Sequence, residues 1–301
     1  MANFVSIWSV FMKNRAVMLI ILAGVFWGTS GLFVNALSPM GLATSQMICL
    51  RGTVAAICMS LYALAFNRNL FKITFKHLMF AVFSGIAMYG CGASYYASMQ
   101  ASSVSTAVIL MYTAPVFVMA YSVAFLGEKL TKIKLISVVL ILIGCALVSG
   151  ITGGMDLNFN GVVFGLLAGI FYSTYNILTK IQMRKGYDAV ISAMYCFIFM
   201  SIFSIIFCDF FGIFKFAEIY GFKFIFPAVG VGVFTSVLPY IFYTVSLKHL
   251  AVGTASALGI VEPMAATIFS VCFLREDLSK PSLVGIVLII VSVLMLSKNN
   301  E

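Results

Sequence analysis

The sequence predicts an all-α integral membrane protein: ten transmembrane helices as two inverted five-helix repeats. Three observations carry that expectation. Of 301 residues, 62% are hydrophobic and only 9% are charged, against about 25% charged residues in a soluble domain. A helix crossing the hydrocarbon needs roughly 20 apolar residues, so the apolar runs have room for about ten crossings joined by short loops. Finally, residues 94–150 recur at 242–298, shifted by 148 positions without a gap. Tyr95 meets Tyr243, Thr106 meets Thr254, Pro115 meets Pro263, Glu128 meets Glu276 and Lys132 meets Lys280. Near-wholly apolar repeats of this kind point to transport.

Taken in order, the expected spans are about 16–36, 42–66, 76–98, 103–126, 132–150, 161–182, 188–211, 223–246, 252–274 and 280–297. Residues 1–15 form a short N-terminal segment. Lys13 and Arg15 precede an apolar run, as in a secretory signal, but the run is long and many more follow, so it reads as a retained first helix. Ser38-Pro39 and Gly41 separate spans one and two, and Asn67-Arg68-Asn69 ends span two. Gly127 ends span four and Thr131 can cap span five. The first repeat covers 16–150, the polar connector 151–160 divides the halves, and the second repeat covers 161–297. Pro281 suits the start of span ten, where no backbone donor is lost.

The net charge of +9 does not signal nucleic acid, because the basic residues sit in short connectors and form no patch. With the N-terminus in the cytoplasm, that side collects Lys13, Arg15, Arg68, Lys72, Lys76, Lys129, Lys132, Lys134, Lys180, Arg184, Lys185, Lys248 and Lys298. The outer side collects only Lys215, Lys223, Arg275 and Lys280, and Arg51 stays inside a span. Such a bias sets orientation. It places both termini in the cytoplasm of a plasma (inner) membrane protein. Five spans per half is odd, so the second copy enters from the opposite side and the repeat is inverted. A weaker match at an offset of 145, LAGVF (22–26) against LAGIF (167–171), aligns the fronts of the halves.

Several residues stand out within the spans. Pro115 and Pro263 deny the carbonyls of Met111 and Gly259 their helical donors. In lipid a freed carbonyl must find a partner or line a wet cavity. The two prolines therefore mark either tolerated kinks or a pair of broken helices at a substrate site. Glu262 lies deep in span nine, as a buried structural carboxyl or a proton carrier; its repeat partner, Ala114, has no carboxyl. Arg51 lies about ten residues into span two, where it snorkels to the outer interface, bonds backbone carbonyls or binds substrate. Trp27, Tyr95, Tyr96, Tyr112, Tyr172, Tyr175, Asn176, Tyr240 and Tyr243 fall near helix centres. They suit either a pocket for a small amphipathic solute or ordinary aromatic packing. Gly24 and Gly28, with Gly161, Gly165 and Gly169, give small-residue spacing for close helix packing.

Enzymatic chemistry finds little support. The histidines are His77 and His249, both near expected cytoplasmic helix ends, and no HExxH or GxSxG string occurs. The seven cysteines fall in apolar runs without metal spacing, so neither a disulfide framework nor a metal site nor any cofactor is implied. A non-transporting receptor would lack any extended loop to signal through. The expected partners are a small-molecule substrate and the lipid bilayer, with proton coupling compatible through Glu262. Nothing in the sequence sets an oligomeric state.

The doubled unit, the LRGTVAA stretch around Arg51, the TAP and VEP prolines, and the FLGEKLT and FLREDLS turns resemble the EamA family of the drug/metabolite transporter superfamily. The resemblance spans roughly 17–149 and 161–297. It implies a ten-helix transporter with a central cavity lined from both halves, moving amino acids, other metabolites or drugs. Gly127-Glu128 matches the family turn, whereas Arg275-Glu276 departs from it by losing the glycine. Export of amino acids or related metabolites by alternating access is the function this resemblance suggests.

Overall fold

A computed structural model describes residues 2–150, 158–275 and 277–298. Among them regular structure is entirely helical. The first half comprises α1 (Ala2–Gly28), α2 (Ser30–Leu37), α3 (Thr44–Phe66), α4 (Phe75–Ala101), α5 (Val104–Met111), α6 (Ala114–Phe125) and α7 (Lys132–Val148). The second comprises α8 (Phe159–Arg184), α9 (Ala189–Ile206), α10 (Phe210–Tyr220), α11 (Phe222–Gly232), α12 (Leu238–Ser246), α13 (Val252–Leu258), α14 (Glu262–Phe269) and α15 (Lys280–Lys298). Nine helical stretches among the described residues are long and apolar enough to cross a membrane, the shortest of 18 residues. The 17-residue α7 is one residue shorter. Exposed Leu61, Phe83, Val139, Val163, Val287 and Leu294 give the bundle an apolar outer surface, which a soluble monomer would not carry.

Helix boundaries follow local chemistry. Thr74 caps α4 by accepting from the backbone N–H of His77, and Thr131 caps α7 by accepting from that of Lys134. Asp188 caps α9 by accepting from Val190 and Ile191. Such caps satisfy amides with no partner inside the helix. Asn158 caps α8 from the far end of the connector; the connector's residues 151–157 lie outside the described residues. The helix α1 begins at Ala2 rather than near residue 16.

The expected span 188–211 is shorter in the structure, ending at Ile206. Asp209 stops it by capping a separate helix, α10, through the Gly212 N–H at 2.9 Å. Gln46 of α3 holds the same residue, donating to the Asp209 carbonyl at 3.0 Å. One face of α10 packs Ile213, Phe216 and Ala217 against Leu37, Leu50 and Phe224. Its other face exposes Phe211 and Phe214. The period of 3.6 thus separates an inner from an outer apolar face.

Gly127 takes a left-handed backbone (φ 68°) after α6. Its repeat partner Arg275 takes the same conformation (φ 59°). The turn shape is therefore kept without the glycine. Glu276, beside it, lies outside the described residues.

The two halves pack reciprocally. α4 lies along α8, and α1 lies along α12; at the offsets above, α1 corresponds to α8 and α4 to α12. The helices α7 and α15 also meet, where a Cβ on Gly285 would sit 2.6 Å from the Gly144 carbonyl oxygen. Without water to expel, helices in lipid associate through such close small-residue contacts.

Candidate functional site

Two spans break near their centres. Between α5 and α6, Tyr112 leaves helical geometry (ψ 2°) and a turn covers Tyr112 and Thr113, just ahead of Pro115. Between α13 and α14, a 3-10 turn covers Gly259–Val261 just ahead of Pro263. There Glu262 N–H bonds the Gly259 carbonyl three residues back, the oxygen that Pro263 cannot serve. Each break rests on a glycine of the other half. A Cβ on Gly169 of α8 would lie 3.1 Å from the Leu110 carbonyl oxygen and 3.4 Å from that of Met111. A Cβ on Gly24 of α1 would lie 3.0 Å from the Gly259 carbonyl oxygen. Gly24 and Gly169 correspond at the 145-residue offset, and Met111 and Gly259 at the 148-residue offset. Ser173 adds a bond to the Ala114 carbonyl at 3.0 Å.

A cavity of about 470 Å³ lies between these breaks, within the roughly 300–1,000 Å³ of small-molecule sites. Trp27, Tyr95, Tyr96, Tyr112, Tyr172 and Tyr240 line it, as do Arg51, Glu262 and Pro263. The lining reaches Val34, Met99, Val104 and Ser149 at one end of the bundle. Tyr175, Asn176, Tyr243 and Pro115 do not line it. Tyr175 sits edge-on to Tyr240 at 5.5 Å, and Tyr243 lies 5.8 Å from Trp27, so both pack behind the aromatic wall. Asn176 is fully buried. Tyr175 and Asn176 share α8 with Tyr172, and Tyr243 shares α12 with Tyr240, but all three are buried away from the cavity, as is Pro115 on α6.

Arg51 is held against one wall. Its Nε donates to Ser236 Oγ at 2.7 Å, and one terminal nitrogen (Nη2) donates to the Thr235 carbonyl at 3.1 Å and the Tyr240 hydroxyl at 3.3 Å. Val233–Val237, which holds Thr235 and Ser236, is a π-helical turn between α11 and α12. Pro239, four residues on, denies the Thr235 carbonyl its α-helical donor. Arg51 thus bonds a carbonyl loosened by proline instead of snorkelling, and no ion pair joins it to Glu262 within 4.0 Å. Ser236, Thr235 and Pro239 escaped the sequence reading; a proline four residues after a polar span residue was the available signal.

The opposite end of the bundle is tied by polar side chains. Glu128 Oε1 accepts from the Val252 N–H at 2.9 Å, so a residue of the first half caps α13 of the second. Arg184 donates to the Leu126 carbonyl at 2.9 Å. Lys180, counted from sequence as a cytoplasmic charge, is buried and donates to the carbonyls of Leu247 and Leu250. His77 stacks on Tyr187 at 4.2 Å and bonds Ser192, a structural role.

The model of the EamA-like transporter family matches residues 14–150 and 159–298, which are the two halves. A described but uncharacterized transporter of Archaeoglobus fulgidus is 27% identical, covering 92% of this chain and 94% of its own. One of Clostridium kluyveri is 25% identical, covering 96% and 95%. A solved crystal structure superposes with a TM-score of 0.77 at 15% identity, covering 93% of this chain and 95% of that one, a likeness of fold. Matched along both halves, this chain belongs to the EamA-like transporter family.

Proposed function

We propose that the protein moves a small organic solute, an amino acid or related metabolite, out of the cell by alternating access. On this reading it is a transporter and not an enzyme. Ten spans form two inverted five-helix repeats in the plasma membrane, with both termini in the cytoplasm. The observation that carries the reading is the cavity between two proline breaks, each seated on a glycine of the opposite half. Discontinuous helices that meet at the interface of two repeats are a recurring plan for a solute site.

The cavity reaches one end of the bundle, while Glu128–Val252, Arg184–Leu126 and Lys180 hold the other. With a cytoplasmic N-terminus, the open end faces outward and the tied end faces the cytoplasm. Rocking one half against the other would exchange them. Glu262 gives the cavity a carboxyl able to carry a proton, so coupling to a gradient fits.

The test is flux from proteoliposomes loaded with amino acids, nucleosides and cationic drugs, with and without a pH gradient. Selective loss of amino acids is expected. No loss of any compound from folded protein overturns the transport reading.

A further inference from the structure

Of the side chains lining the cavity, Arg51 and Glu262 carry charge. They do not meet: no ion pair forms within 4.0 Å. Arg51 spends Nε and Nη2 on Ser236, Thr235 and Tyr240. All three acceptors are neutral, Glu262 acts on the guanidinium only through space, and Nη1 donates to none of the described residues. The Glu262 side chain is half-buried, faces the cavity and accepts no hydrogen bond from a described residue. The site therefore presents a guanidinium and a carboxyl on one shared space, joined by no hydrogen bond or ion pair and acting on each other only through space.

An isolated charge taken into such surroundings costs several kcal/mol unless it is paired. A monocation would satisfy Glu262 and leave Arg51 alone. A monoanion would do the reverse. A solute carrying both an ammonium and a carboxylate satisfies both at once. Around the charges stand Trp27, Tyr95, Tyr96, Tyr112 and Tyr172, whose ring faces attract an ammonium and accept an apolar side chain.

We propose that Arg51 and Glu262 act together as a zwitterion selector, Arg51 Nη1 taking the carboxylate and Glu262 taking the ammonium of the solute. This deepens the transport reading above and rests on it. It assigns specificity to two residues that share no contact, and it makes the requirement for both head groups a property of charge balance.

The test uses the full chain in proteoliposomes and three matched sets: the free amino acids, their methyl esters, which are cations, and their N-acetyl derivatives, which are anions. Each derivative is assayed as competitor for efflux of its parent. The expected result is efflux of one or more free amino acids, with ester and N-acetyl forms weaker on the order of 100-fold. Glu262→Gln should then accept the N-acetyl form as well as the parent, while Arg51→Gln should favour the ester. Because Arg51 also ties the π-helical turn, its variant is read only if thermal unfolding shows it folded; Glu262→Gln alone suffices. An ester or N-acetyl form as potent as its parent overturns the inference. So does a Glu262→Gln variant that weakens all three forms equally. Efflux confined to a solute without both charges overturns it while leaving transport standing, whereas absence of efflux for every compound tested overturns the transport reading as well.

Discussion

Gly24 of the first helix faces Gly259 so closely that an added Cβ would lie 3.0 Å from its carbonyl oxygen. That oxygen is the one Pro263 leaves without an α-helical donor. The break in the second half is thus packed against bare backbone from the first, and the contact tolerates no side chain without a shift.

Gly24→Ala should therefore destabilise the protein by about 1–3 kcal/mol, the cost of overpacking. Gly31→Ala is the control, because nothing lies within 4 Å of its added Cβ, and within α2 it should hold stability or raise it by up to about 1 kcal/mol. Thermal unfolding in detergent compares the two. Equal unfolding temperatures for both variants would remove the close contact as a constraint.

Pro239→Ala returns a backbone N–H to the turn that Arg51 holds. The restored donor competes with Arg51 for the Thr235 carbonyl and should straighten the π-helical turn toward an α-helix. Efflux should fall while the unfolding temperature holds or rises. A variant with full efflux would show that the loosened turn is not needed.

Glu262→Gln keeps the size of the side chain and removes its titration. If Glu262 carries protons, the acceleration of efflux by a pH gradient should vanish in this variant, measured relative to its own reduced rate of exchange at equal pH. An unchanged response to the gradient would take the proton role away from this residue.

Glu128→Ala removes the cap on Val252, worth about 0.5–2 kcal/mol by analogy with other N-terminal caps. The tied end should then open more often. A single cysteine in place of the buried Ser256, in a background without the seven native cysteines, reports this as faster labelling by a water-soluble thiol reagent. Equal labelling rates with and without Glu128 would show that the cap does not hold this end shut.

A reporter fused after Glu301 should give a cytoplasmic signal, and one inserted between residues 153 and 154 an external one. Both signals on one side would overturn the odd number of spans per half.

Much of this arrangement could be read from the chain. Apolar runs located the helices, because lipid demands long uninterrupted spans. Ahead of each proline the helix departs from α-geometry, at Tyr112 and at Gly259–Val261, because a missing N–H acts locally. Trp27, Tyr95, Tyr96, Tyr112, Tyr172 and Tyr240 share one cavity, but Tyr175 and Tyr243 sit behind its wall. Residue type and depth cannot separate these two groups; the rotation of each helix about its axis does, and packing sets that rotation. α10 was hidden for another reason. Its residues continue the apolar composition of α9, and only Asp209, capping α10, marks the join. Lys180 read as a solvent charge because its acceptors, the carbonyls of Leu247 and Leu250, are 67 and 70 residues away.

Arg275 holds a backbone shape that its counterpart reached with glycine. A left-handed arginine costs roughly 1–2 kcal/mol, so the second copy sacrificed local ease and retained the bend. After a gene doubles, the two products are free to drift in spelling as long as each still turns the corner. Kinship between halves is accordingly better traced through torsion angles than through letters, and a designer seeking a sturdier version of this protein could begin by writing glycine back at position 275.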